Sequence, residues 1–281
     1  MTRPTGFSIL IPSWNNLPYL KLCVDSIEQN SVLKHQIIIH VNEGSDGTLE
    51  WVKERGLEFS YTKENSGVCV AVNQAAHLAN YDYLVFMNDD MYACPNWDSA
   101  LFQEAEQLKN QMFLLSGTMI EPKHTGNPAV IHADFGSSLD TFQKDALIES
   151  APTKKDWQGA SWPPILVNKN LWIQVGGFSE EFSPGMYSDP DFSMKFWDAG
   201  CRIFKGVGKS TVYHFQCKTT GKIQVNNGRI QFLKKWGILP STFYKYYLKM
   251  GSDFTGRLKK PTLSPLFILH RIRGAMINLL N

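Results

Sequence analysis

Four short strand-like runs, three of them apolar, and most followed by helical periodicity, constrain this chain more than any other feature. Phe7-Ser8-Ile9-Leu10-Ile11 ends at Pro12. Residues 36–41 end at Asn42-Glu43-Gly44-Ser45-Asp46-Gly47, a third run lies near 57–62, and residues 83–87 stop at Asn88-Asp89-Asp90. Continuous β-branched and aliphatic runs are the signature of parallel strands buried on both faces. Asn16 stands as an N-cap with Pro18 in the first turn, and Leu17, Leu20, Val24 and Ile27 recur at helical spacing. Further helices are expected over 48–55 and from Asn65-Ser66-Gly67 through Asn73 to Leu78. Such short connections imply right-handed crossovers and an α/β fold with a mostly parallel sheet, whose ligands bind outside the carboxyl ends of the strands. Every polar cluster just named lies at such an end.

Beyond residue 110 the pattern loosens. Strands are expected at 113–117, 165–167, 202–204 and 211–213, with a helix over 191–199 closed by Gly200. One or two helices with an aromatic face are expected within 226–250, and 121–157 gives no regular signal. No stretch approaches the roughly 18 uninterrupted apolar residues of a membrane span. The first residues are expected to run straight into a strand, with no secretory leader visible in them. Cys23, Cys69, Cys94, Cys201 and Cys217 have no CxxC spacing. That pattern reads as reduced thiols in a cytoplasmic protein, not as a disulfide framework or zinc site.

Charge divides the chain. Residues 1–217 carry 16 basic against 25 acidic residues, a balance of −9, whereas 218–281 carry 12 against one, a balance of +11. The expected organisation is a body over 1–217 and a basic helical extension over 218–281. Such an extension suits a lipid surface, a phosphorylated acceptor or the acidic body itself, or it is a solvated basic face. Nucleic acid is the weakest partner, since no recognised nucleic-acid-binding motif is present. Leu263, Leu266, Phe267, Leu269, His270, Ile272, Met276, Leu279 and Leu280 interleave with Arg271 and Arg273, as in a basic amphipathic helix. Residues 257–281 thus suit peripheral membrane contact, or packing on the body or on a second subunit in a homo-oligomer.

No GxGxxG or GxxxxGK[ST] follows any strand, which points to a metal as the phosphate-binding device. Asp89 and Asp90 are adjacent carboxylates at a strand's end with no nearby Lys or Arg, and they repel unless a cation joins them. A hard divalent ion, Mg²⁺ or Mn²⁺, takes carboxylate and phosphate oxygens together. An Asx-type turn is the other reading. In Ser188-Asp189-Pro190-Asp191, Asp189 reads as an N-cap that also faces substrate. His214 ends a short apolar strand, where a structural role competes with ligation.

In order along the chain, these segments resemble family-2 glycosyltransferases of the GT-A fold. Residues Pro12-Ser13-Trp14-Asn15 are similar to that family's Pro-Thr-Tyr-Asn, and Val41-Asn42-Glu43-Gly44-Ser45-Asp46-Gly47-Thr48 to its V-D-D-G-S-x-D-G-T. Asn65-Ser66-Gly67 with Asn73 resembles its N-x-G…A-x-N, and Asn88-Asp89-Asp90 falls at its D-x-D. Gly176-Gly177-Phe178 with Ser188-Asp189-Pro190-Asp191 resembles G-G-F-D-E…E-D-x-D, Val212-Tyr213-His214 its V-x-H, and Lys235-Trp236-Gly237 a later K-W-G. The resemblance implies a Rossmann-like GT-A sheet and a metal-dependent, inverting glycosyltransferase. It would move one sugar from a nucleoside-diphosphate sugar, preferentially UDP-linked, to a hydroxyl of a glycan or lipid-linked acceptor, as in polysaccharide biosynthesis. It places Pro12, Trp14, Asn15, Asn42 and Glu43 in the nucleotide pocket, with Asn65 and Gly67 contacting the nucleotide. It makes Asp90 a metal ligand helped by Asp89 and His214 a further ligand to metal or diphosphate, with Asn88 and Asp89 among the cofactor-binding residues, and Asp189 the general base.

The sequence departs from the pattern at Asn42, Asn88, Ser188 and Val72, where the family has two aspartates, a glutamate and often an arginine. Asn42 can pair with uracil N3–H and O4 or, flipped, suit another base. A catalytically degenerate nucleotide-sugar-binding module and a nucleotidyltransferase on a related fold are the alternatives.

Overall fold

The computed structural model describes residues 5–217 and 226–279. The leader reading at residues 1–4, the segment 218–225 of the extension, and Leu280 lie outside them. The chain runs β1 (Ser8–Trp14), α1 (Leu17–Asn30), β2 (Gln36–Asn42), α2 (Thr48–Glu54), β3 (Glu58–Thr62), α3 (Gly67–Ala76), β4 (Tyr83–Phe86), β5 (Met91–Ala93), α4 (Trp97–Gln107) and β6 (Phe113–Glu121). It continues through β7 (Ile131–His132), α5 (Lys144–Ser150), β8 (Trp157–Gln158), β9 (Ile165–Asn168), α6 (Lys169–Val175), α7 (Ser188–Asp198) and β10 (Ile203–His214). Last come α8 (Gly228–Trp236), α9 (Pro240–Thr242) with a π-helical turn Phe243–Leu248, and α10 (Pro265–Leu279).

The strands form one mixed sheet in the order β3-β2-β1-β4-β9-β6-β10-β5, with β7 beside β6 and β8 beside β10. β1 is parallel to β2 and β4, β2 to β3, and β6 to β10. β9 runs antiparallel to both β4 and β6, so these two share a direction. Trp14, Asn42, Thr62, Asn88, Glu121 and His214 are therefore delivered to one edge of the sheet. Alternation along each strand sends successive side chains to opposite faces. Leu10 joins the core under α3, α6, α7 and α8, while Ile9 and Ile11 join the one under α1, α2 and α4. Phe232, Phe243 and Leu248 belong to the same cluster as Phe86 and Phe192, so the chain after residue 226 is built into the body before α10 begins.

Several expectations are corrected. The separate strands at 202–204 and 211–213 are one strand, β10, interrupted by a register shift between Val207 and Thr211. β5 and α4 gave no clear signal in sequence, and β5 and β9 break the parallel rule. Asn16 occupies the N-cap position of α1 without a side-chain capping bond. Asp46 Oδ2 instead accepts from Leu17 N at 2.8 Å, and Asp46 Oδ1 from Thr48 N at 3.1 Å. One carboxylate from the loop after β2 thus holds the starts of two helices, where the dipole favours negative charge. Among the described residues no helix is long and apolar enough to cross a membrane.

Candidate active site

Two cavities open at this edge. The first, about 280 Å³, is lined by Pro12, Trp14, Asn42, Asn65, Gly67, Asn88, Asp89, Asp90 and His214. Nine of the expected residues thus converge on it. Asn15 and Glu43 stand back. Glu43 has a positive φ of 62° and accepts from Trp14 Nε1 at 2.8 Å, so it fixes the indole that lines the cavity. That bond and one from Ser45 hold the Glu43 carboxyl below its ordinary range.

Asn42 is already engaged. Its Oδ1 accepts from Ser66 N at 2.9 Å, Ser66 Oγ at 2.8 Å and Thr62 Oγ1 at 3.1 Å, tying the end of β2 to the start of α3. In this conformation a two-point pairing with uracil lacks its acceptor. Gly67, at φ +79°, permits a close approach, but to protein: a Cβ there would lie 2.7 Å from Pro184 Cα. Gly67 N donates to Asn65 Oδ1 and Val68 N to Pro184 O. The start of α3 therefore offers the cavity its dipole, with these two N–H groups already used.

A line of three ionisable groups runs behind this edge, with Asp90 and His214 lining the first cavity and His214 and Glu121 the second. Asp90 Oδ1 lies 3.4 Å from His214 Nε2, and His214 Nδ1 lies 2.9 Å from Glu121 Oε1. Asp90 Oδ2 accepts from Cys217 N at 2.8 Å. Burial works against a charged Asp90, but His214 outweighs it and holds the carboxyl below its ordinary range. Burial likewise works against a charged His214, while the two carboxylates outweigh it and lift the imidazole to about 10. Asp89 accepts from Ser13 Oγ at 2.7 Å, and burial with the Asp90 charge pushes it up to about 7.

Asp90 and His214 are the side chains that would hold a divalent ion here, and the imidazole would have to release its proton to do so. Asp90 supplies an oxygen and His214 a ring nitrogen, while Glu121 fixes the other ring nitrogen as carboxylates do behind metal-bound histidines. Among the described residues no group of three or more His, Cys, Asp or Glu side chains is placed to hold a metal ion. The strand expected over 113–117 runs on to Glu121. The apolar pair Met119-Ile120 just before Glu121 is the sequence signal for the longer strand.

The second cavity, about 690 Å³, shares Val68, Asn88, Gly185, His214 and Cys217 with the first and adds Glu121, Asn127, Trp162, Ser188, Asp189 and Gln216. Asp189 is thus absent from the first cavity and present in the second. It is not the N-cap of α7. That position is Tyr187, and Asp189 sits inside the first turn. Desolvation pushes its carboxyl up to about 7. Trp162 stacks on Tyr244 at 6.0 Å between ring centroids, and its buried indole N–H has no partner.

The remaining motif residues hold α7 in place. Asn73 brackets the Phe178 backbone, accepting from its N at 2.9 Å and donating to its O at 2.8 Å, and Phe178 stacks on Phe192 of α7 at 4.4 Å. Asp191 is fully buried and accepts from Trp236 Nε1 at 2.7 Å, with Lys235 Nζ at 3.0 Å. Lys235 also meets Glu181 at 2.7 Å. The Lys235-Trp236 pair is therefore a clamp behind the turn that carries Asp189. Lys235→Met leaves a buried carboxylate without its cation and is expected to cost about 3 kcal/mol in urea unfolding. A loss below about 0.5 kcal/mol would mark the contact as an ordinary surface pair.

A mixed sheet with helices on both faces, its polar cluster at the carboxyl ends of the strands, is the GT-A architecture. The sequence profile described as "Glycosyl transferase family 2" matches residues 8–154, just over half of the chain, and the chain belongs to that family. Solved structures with this fold include S. aureus TarS 1–349, at 19% identity and TM-score 0.55 over 74% of this chain and 60% of that one. The same protein in complex with UDP-GlcNAc matches at 15% identity and TM-score 0.59, over 83% of this chain and 65% of that one. The chain spans under two thirds of the length of these neighbours, and at this identity the likeness shows the fold. No curated protein matches the sequence.

Proposed function

We propose that this protein is a metal-dependent, inverting glycosyltransferase that moves one sugar from a UDP-sugar to a hydroxyl of a glycan or glycolipid acceptor. The observation that carries the reading is the pair of cavities meeting at Asn88 and His214, with Asp90 in one and Asp189 in the other. Trp14 and Asn42 would line the nucleoside site, while Asp90 and His214, the latter oriented by Glu121, would hold Mg²⁺ or Mn²⁺. When bound, that ion supplies positive charge to the leaving diphosphate. Trp162 offers a stacking face to the acceptor ring. Asp189 takes the proton of the attacking hydroxyl, and attack from the side opposite the diphosphate inverts the anomeric centre. Support for a uridine nucleotide comes from the TarS neighbours solved with UDP and UDP-GlcNAc.

A panel of UDP-, GDP-, ADP- and dTDP-sugars with Mn²⁺ is expected to raise the melting temperature for the UDP-sugars alone. Equal stabilisation by a GDP- or ADP-sugar would remove the uridine assignment, and no shift with any would count against the transferase reading. The base must be ionised to act, and Asp189 is protonated below about 7. Transfer at subsaturating substrate is therefore expected to fall on acidification with a midpoint near 7. A midpoint near 4 would mean that the base is an ordinary exposed carboxylate.

A further inference from the structure

The helix α10 touches the body along a narrow seam. Phe267 packs on Tyr246 at 5.1 Å and Tyr247 at 6.1 Å, His270 meets Tyr246 at 5.1 Å, and Gly274 lies against Leu233 and Leu239. At about 100° per residue, Leu269, Ile272, Met276 and Leu279 fall within roughly 80° of arc on the side opposite that seam. These four are 50–87% exposed, and Leu263 and Leu266 just before them are 75% and 62% exposed. Arg271 and Arg273 fall on the two flanks of this stripe, and both are exposed, as are Lys259 and Lys260 ahead of the helix. Lys245 and Lys249, in and just after the turn beneath it, are exposed too, and no acidic residue follows Asp253 in the sequence.

We infer that this face docks on an anionic lipid surface. An apolar stripe flanked by arginines matches a helix lying in the plane of a bilayer interface, with aliphatic side chains among the acyl chains and cations at the headgroups. The charge favours lipid over a second copy of the chain, because pairing two such faces would bring like charges together. The placement also has a consequence for substrate. α10 rests on the turn Phe243–Leu248, whose Tyr244 backs Trp162 of the second cavity. Docking would hold that cavity beside the membrane, where a lipid-linked acceptor resides; this step rests on the acceptor reading above.

Flotation of the full chain tests the docking without donor or turnover, so its outcome is separate from that of the transferase reading. The protein is expected to float with phosphatidylcholine vesicles containing about 30% phosphatidylglycerol and to stay behind with phosphatidylcholine alone. Ile272→Asp with Met276→Asp, and independently Arg271→Glu with Arg273→Glu, are each expected to reduce the bound fraction at least about tenfold with unchanged melting temperature. No flotation with anionic vesicles, or flotation indifferent to both pairs, would overturn the proposal. So would a dimer in solution that the Ile272→Asp, Met276→Asp pair converts to monomer, which would assign the face to a second copy.

Discussion

Asp189→Asn is expected to lower sugar transfer by about 10²–10⁴-fold while donor binding, read by thermal shift, stays within about twofold. The substitution keeps the shape of the side chain and removes only its capacity to accept a proton. Donor binding is spared because Asp189 lines the second cavity and not the first. Its environment also argues against loss of folding. The carboxyl is raised to about 7 by desolvation, so its ionised form is disfavoured in the folded protein. That penalty is present above pH 7 and fades as the group is protonated below it. At pH 8 the neutral amide is therefore expected to melt no lower than the wild type. Transfer that persists unchanged would remove Asp189 as base and favour Glu121, the other carboxylate of that cavity.

The second large effect is expected from Asp90→Ala. Asp90 is 6% exposed and makes contacts on both oxygens, one toward His214 and one with Cys217 N. Its loss leaves His214 held by Glu121 alone. Transfer is expected to fall by about 10³-fold, and the extra stabilisation that Mn²⁺ gives with a UDP-sugar is expected to vanish. Asp90→Asn can still accept from Cys217 N and separates lost fold from lost ligand, and it should melt closer to wild type with the same loss of metal response. A metal-dependent shift that survives in both variants would place the ion elsewhere.

What the sequence makes legible here follows from how far apart the partners are. β1, β2 and β4 stand out because strands buried on both faces are continuous apolar runs, and the polar residues that stop them necessarily sit at the strand ends. Asp90 follows such a run and His214 ends another, whereas the nucleotide-side roles rest on the family resemblance. The partners that give them their properties lie far along the chain. Glu121 is 93 residues from His214, and Asp191 is 45 from Trp236. No local pattern announces either contact. Asp46 shows the same limit at shorter range: Asn16 has the right residue type for a cap, yet the carboxylate that reaches Leu17 N comes from the next loop. β9 reads as any short apolar strand, and its direction is set by the two neighbours it fits between.

The most direct test of the two-cavity account is a crystal structure with UDP and Mn²⁺. The account predicts the uridine against Trp14 and Asn42, and the diphosphate at Asp90 and His214. It also predicts the second cavity open beside the terminal phosphate, with Asp189 facing it. Nucleotide bound away from Asp90, or the diphosphate reaching into the cavity that holds Asp189, would contradict it.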